Sequence, residues 1–490
     1  MRTLALLLCL TALASATVYT SAATGDFKGD STWGGGGHPV AGDTAVFSGA
    51  WTVTLTANGA CAMCSSAVFT GTFALTTYKL NVSGNLRWLT NSDTAFMTLG
   101  VSADSGLVVV GNVTVGARGK VTCSGASKIS CAGSWDVSAG TFTKSTSTVT
   151  FNATSSGKTV KSGSNEYYNV TWNGSGGEWT LQDDFVQTGV SAFTLGTLIL
   201  NGKYYMAYYA QTVTLGSGFT LNVGTGIYNT NHQMNLTVPT GATVTISAWG
   251  DMYVGHLTIS GTGTFTATGV ASIAVVGNVS ITSPNFTAGT STIANRWGAG
   301  TVSSTQPLYN YTIEYGVAIT LGSNLTVQNT FTVGTGGNSF SAGSYTLTVG
   351  GNFANGDVFN AGTGTVIFND ATKTTTVSGT TTFYNLQCLT PGKTVKFEAG
   401  QTFTVTSFDF TGTAGNLILL DTDTGASTFT LSDATGTNQV EYCDIHRSAA
   451  TGGAAWLAYT VDGNVDGGSN TGWLFAPPAS TFNPLLLSGD

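Results

Sequence analysis

"AGTFTKSTSTVTFN", residues 139–152, returns as "TAGTSTIANRW" (287–297) and again as "AGTGTVIFND" (361–370). Behind each copy stands a segment built on Tyr-Asn: "EYYNVTWN" (166–173), "PLYNYTIE" (307–314) and "TFYNLQCL" (382–389). Matching units lie about 73 residues apart or twice that, roughly three turns of a coil of ~24 residues, and such long-period self-similarity marks a solenoid. A coil of this size cannot bury its own apolar face, so stacking on its neighbours must supply the core.

Inside the units, apolar and hydroxylated residues alternate, as in "WTVTLTA" (51–57), "TVTFNAT" (148–154), "YTLTVGG" (345–351) and "TFTVTSF" (402–408). Period-two patterning broken by Gly, Asn and Ser predicts half-buried strands joined by turns. No stretch after residue 16 carries helical periodicity. The predicted fold is all-β: a right-handed parallel β-helix, or β-solenoid, with N- and C-terminal caps. A β-propeller or tandem β-sandwiches are the alternatives, and long threonine ladders in units of unequal length disfavour them. At a strand spacing of ~4.8 Å the chain would make ~20 coils, on the order of 90 Å. Residues 17–60, which include "STWGGGGHPVAGDT" (31–44), read as the N-terminal cap and 61–436 as the repeats. Residues 437–476, closing on "GWLF" (472–475), read as the C-terminal cap, and 477–490 as a flexible tail.

The first 16 residues, "MRTLALLLCLTALASA", place an arginine before an apolar run and end on the small-x-small pattern Ala14-Ser15-Ala16. This is the pattern of a secretory signal removed on export. No later stretch reaches the ~18 apolar residues of a membrane span. Charged residues make up 8% of the chain, far below the ~25% of ordinary soluble domains, so hydroxyls and amides must keep it in solution. A net charge of −8 argues against nucleic acid as a partner, since phosphate binding needs a basic surface. Beyond Cys9 in the signal stand Cys61, Cys64, Cys123, Cys131, Cys388 and Cys443. An even number in an exported chain predicts disulfides, with their connectivity left open. Sequons such as Asn112, Asn169, Asn278, Asn310 and Asn324 follow from the threonine content alone.

The units "AGTGTVIFN" (361–369), "YNLQ" (384–387) and "YTLTVGGNF" (345–353), with the opening "STWGGGGHPVAGDT", resemble the β-strand repeats of bacterial surface proteins and of some phage fibres. The resemblance implies a surface or extracellular structural role. It implies no catalytic residue.

Candidate sites are few. "KYYMAYY" (203–209) gathers four tyrosines, and Tyr228 and Trp249 follow at about coil spacing. A column of Tyr205, Tyr209, Tyr228 and Trp249 facing outward would stack on the apolar C–H faces of sugars. The same spacing suits an aromatic ladder inside the solenoid, which is the plainer reading. "DGNVDGGSN" (462–470) sets Asp462, Asn464 and Asp466 as in the opening of a calcium loop, but Trp473 stands where that loop needs a bidentate glutamate. Ordinary tight turns use the same residues. No cofactor is predicted; calcium is a candidate at this loop, and zinc on Cys61, Cys64, Cys123 and Cys131 is disfavoured because their spacing matches no common zinc finger. Acids for glycoside chemistry would be Asp183 with Asp184, Asp251 with His256, or Glu441 and Asp444 with His446 and Arg447. No G-x-S-x-G elbow, P-loop or dinucleotide fingerprint appears.

These observations predict an exported, non-enzymatic surface or extracellular structural protein, adhesin-like and in contact with polysaccharide or cell-surface glycan. The alternatives are a virion fibre or tailspike-like protein and a β-helix polysaccharide lyase or hydrolase.

Overall fold

The computed structural model describes residues 16–89, 94–100, 106–208, 211–229, 234–247, 249–425 and 427–478. The expected signal, apart from Ala16, lies outside these residues, as do Tyr209 and positions 479–490 of the expected tail. The described chain is all-β, with two short 3₁₀ turns at Asp30–Trp33 and Thr460–Asp462. Its strands stack in parallel, coil upon coil, as a β-solenoid. It falls into two compact units, one ending at Met234 and one beginning at Asn235.

In the first unit, Leu107 pairs with Leu80 of the coil before and Ile129 of the coil after, and Ile129 continues to Val149 and Val170. Every residue in that column points inward, because period-two alternation puts Val, Leu and Ile on one face and Thr, Ser and Lys on the other. Residues 17–60 already carry this parallel pairing, with Val18 beside Thr44 and Gly25 beside Val53. Phe27, Trp33 and Phe47 pack edge to face over the first coils, and the Trp33 indole N–H donates to the Phe27 carbonyl at 2.7 Å.

In the second unit a coil carries three strands, as in Leu325–Val327, Phe331–Val333 and Ser339–Ser341. Leu325 stacks on Leu347 and Leu347 on Val366, so these coils take 22 and 19 residues. They are tighter than the ~24 expected, because short corners suffice between strands of three to five residues. Aromatic side chains stack along the interior: Tyr311 on Phe331 and Phe331 on Phe353, with centroids 6.2 and 5.3 Å apart. Each fully buried ring contributes about 1.5–3 kcal/mol of apolar burial.

At the corners the ladder would leave backbone groups unpaired, and asparagine amides fill the gap. Asn112 accepts from Ser134 N, Asn169 from Val190 N, Asn278 from Thr301 N and Asn324 from Thr346 N, all at 2.8–2.9 Å. Each bond joins one coil to the next. Asn338 does this most completely. Buried to 1% exposure, its Oδ1 accepts from Gly316 N and Val317 N while its Nδ2 donates to the Gly334 and Thr335 carbonyls.

Among the described residues one cation is buried. Lys393 is fully buried, and its ammonium donates to the carbonyls of Gly350, Asp370 and Lys373 at 2.7–3.0 Å. Burial pulls its pKa down to about 8. The three carbonyls complete the donor set of an ammonium and make the residue a pin through three successive coils.

The expectation of disulfides is not met. Cys61, Cys64, Cys123, Cys131, Cys388 and Cys443 are all buried free thiols. Burial pushes Cys123 and Cys388 up to about 11 and Cys131 up to about 12. Stacked coils cover each thiol as they cover valine, so the core does not call for a crosslink. In the purified chain from residue 17, we expect all six thiols to resist an aqueous disulfide reagent at pH 8 and to react together on unfolding in guanidinium. Fewer than six would show a crosslink. Lys393→Met should lower the unfolding free energy by about 3 kcal/mol, because three buried carbonyls lose their donor. Denaturant titration checks it, and an unchanged midpoint would show that the pin contributes nothing.

Candidate functional site

Tyr205 and Tyr228, expected as glycan-stacking residues, are fully buried. They belong to an interior column in which Tyr167, Phe185, Tyr205 and Tyr228 stack with centroids 4.5, 5.2 and 5.6 Å apart. The Tyr205 hydroxyl donates to Gln187 Oε1 at 2.7 Å, and the Tyr228 hydroxyl lies 3.2 Å from Met234 Sδ. Burial raises both phenols, Tyr205 to about 12. No sugar can reach them. Trp249 is 80% exposed, at a left-handed backbone position of φ +68°.

The calcium expectation also fails on geometry. Asn464 is buried, its Oδ1 accepting from Cys443 N and its Nδ2 donating to the Val440 and Tyr459 carbonyls. Asp466 Oδ1 is occupied by Gly468 N and Asn470 Nδ2, and Asp462 faces Gln439. These residues clasp turns instead of converging on an ion. No cluster of three or more His, Cys, Asp or Glu side chains able to hold a metal occurs among the described residues.

Most of the acids considered for catalysis are likewise engaged by the chain. Asp183 caps Ser162 N and Gly163 N, Asp184 accepts from Tyr204 N, and His256 Nδ1 accepts from Asn278 N. Asp444 lies 2.9 Å from His446, and Arg447 forks onto Asp421.

What the structure does assemble is an exposed aromatic pair in the second unit. Strands Thr292–Arg296 and Asn310–Glu314 are paired in register, Arg296 beside Glu314, so Trp297 and Tyr315 occupy the same corner on consecutive coils. Trp297 is 46% and Tyr315 61% exposed. Their rings stack with centroids 5.3 Å apart and planes 14° from parallel. The Arg296 guanidinium lies 5.8 Å from each ring centroid and donates through Nε to Glu314 at 2.9 Å.

Local backbone explains why these rings are outside. Trp297 and Tyr315 sit at φ +65° and +66°, a region that costs a bulky residue of order 1–3 kcal/mol. Simple alternation after outward Arg296 and Glu314 would turn the next side chain inward. The left-handed step breaks that alternation and keeps the rings in solvent. Asn338 fixes the corner by holding Gly316 N and Val317 N, and Asp357 holds Asn338 N and Gly337 N in turn. The corner one coil further on is 334–338, "GTGGN", where Gly336 and Gly337 bring no side chain against Tyr315.

A groove of about 410 Å³ lies at the other end of the strand Asn310–Glu314, lined by Tyr309, Gln328, Asn369, Asp370 and Lys373 among others. The Lys373 ammonium sits 5.7 Å from the Tyr309 ring centroid, donates to the Gln328 carbonyl at 2.7 Å and pairs with Asp370 at 3.2 Å.

Sequence reasoning passed over Trp297 and Tyr315. A signal was there: Trp249-Gly250, Trp297-Gly298 and Tyr315-Gly316 are aromatic-glycine pairs beside strands, and all three aromatics take positive φ. No helix among the described residues is long and apolar enough to cross a membrane. Compared with known proteins, the chain matches no family model, no curated protein and no solved structure.

Proposed function

We propose that this protein is an exported, non-enzymatic surface or extracellular structural protein, adhesin-like, whose solenoid presents a polysaccharide-contacting platform at Trp297 and Tyr315. The observation that carries this is the stacked pair itself: two large rings held in solvent on consecutive coils by backbone conformations that bulky residues avoid. Strain of this kind persists where the surroundings over-determine it, and Asn338 and Asp357 supply that constraint at the Tyr315 corner. An exposed aromatic face is apolar and flat. The C–H face of a pyranose is a matching partner, and the Arg296–Glu314 pair beneath offers a donor and an acceptor to its hydroxyls. A surface low in charge and rich in hydroxyls suits a scaffold that displays such a platform without attracting ions.

Titration of a polysaccharide and oligosaccharide panel tests this, read by tryptophan fluorescence and calorimetry together with an assay for new reducing or unsaturated ends. Trp297→Ala and Tyr315→Ala should each weaken binding about tenfold, equivalent to about 1.4 kcal/mol. Asn338→Ala should weaken binding while both rings remain, because it frees the corner that carries Tyr315. Unchanged binding in the double ring variant would remove the platform from the account, and cleavage of any polymer would overturn the non-enzymatic reading.

A further inference from the structure

We propose that the groove at Tyr309 and Lys373 is a subsite for the anionic group, carboxylate or sulfate ester, of an acidic polysaccharide, which names the ligand class of the glycan reading above and rests on it. Three features of the groove point there. The first is charge. In a chain of net charge −8, this groove has Lys373 on its wall and the Lys393 ammonium directly beneath, bonded to the carbonyls of the lining residues Gly350, Asp370 and Lys373. Asp370 is the one carboxylate in the lining, so the wall carries one cation and one anion, with the buried Lys393 charge behind them.

The second is donor capacity. An ammonium has three N–H donors, and Lys373 commits two of them, to Gln328 O and to Asp370. The third remains for a ligand oxygen. Asp370 is itself held in place: the Thr372 hydroxyl and Lys373 keep its carboxyl below the usual range, and Thr372 donates to it through both N and Oγ1.

The third is rigidity. Asp370 takes φ +71°, and Lys393 pins that residue and Lys373 from below through their carbonyls. The cation on the wall therefore stands on a preorganised turn, which lowers the ordering cost of binding. Tyr309, Gln328 and Asn369 add a hydroxyl and two amides suited to sugar hydroxyls.

Position links the groove to the aromatic pair. Tyr309 precedes the strand Asn310–Glu314 and Tyr315 follows it, so the two features stand roughly 20 Å apart at ~3.3 Å per residue. A few sugar units cover that span.

The test uses the chain from residue 17 onward, titrated with an oligouronate, with its carboxyl-reduced neutral counterpart and with a sulfated neutral oligosaccharide of similar length, at low and high salt. We expect at least one anionic ligand to bind about tenfold tighter than the neutral one, with the advantage shrinking at high salt. That advantage should vanish in Lys373→Met and Lys373→Gln, while the neutral ligand keeps its affinity and the thermal midpoints stay unchanged. The two anionic arms tell a carboxylate from a sulfate site. Equal affinity for charged and neutral ligands, or a preference that survives both Lys373 variants, overturns the proposal. If neutral oligosaccharide binding depends on Trp297 with no charge preference, the platform stands and the groove falls. If Lys373 alone matters, the groove stands and the platform falls. If none of the three ligands binds, both fall.

Discussion

Everything in this solenoid depends on hydrogen bonds made between a coil and its neighbour. A strand of three residues has no stability by itself, and the coil has no second layer to fold against. The inter-coil ladder supplies both, and its weak points are the corners, where the backbone turns away from parallel register. There the protein uses side-chain amides as substitute backbone. Asn338, with all four of its hydrogen bonds made to the chain, is the fullest case. An unpaired buried amide or carbonyl costs about 1–3 kcal/mol, so one such residue per corner decides whether the corner is sharp and fixed or frayed.

The corners also determine which aromatic rings are structural and which are displayed. Tyr205 and Phe331 lie within strands, where alternation directs them inward to stack on the ring of the next coil. Trp297 and Tyr315 follow their strands by one residue, where a left-handed step turns them out. The same chemistry, ring on ring at coil spacing, thus seals the core in one place and builds a surface in another. One backbone angle makes the difference.

Much of this architecture was legible in the sequence, for a physical reason. Alternation and the recurrence of "AGT" and Tyr-Asn units report burial and stacking directly, so Tyr311, Phe331 and Leu347 could be assigned an inward face from their neighbours. The coil length came out long because corners obey no period. The site was much less legible. Tyr205 and Tyr228 were candidates because they cluster, yet clustering is what an interior ladder also produces. Trp297 and Tyr315 were missed because their exposure follows from φ, which alternation does not encode, although the glycine after each marks a turn. Asn112, Asn169, Asn278 and Asn324 looked like by-products of a threonine-rich chain, and they are brackets between coils. The buried Lys393 gave no signal, because its three carbonyl partners lie 20 to 43 residues away.

The bracket at Asn338 has a direction. It reaches back to Gly316 and Val317, and Asp357 reaches back to Asn338 in the same way. The corner that carries Tyr315 is therefore finished by chain that leaves the ribosome after it. Until the coil containing Asp357 has been laid down, the Tyr315 ring has its strand but not its orientation. A chain cut short just beyond Val333 would keep both rings and the ladder beneath them, yet lack the residue that fixes the corner behind Tyr315. Completion of the Tyr315 side of the display surface is in this sense postponed until the coils after it are in place.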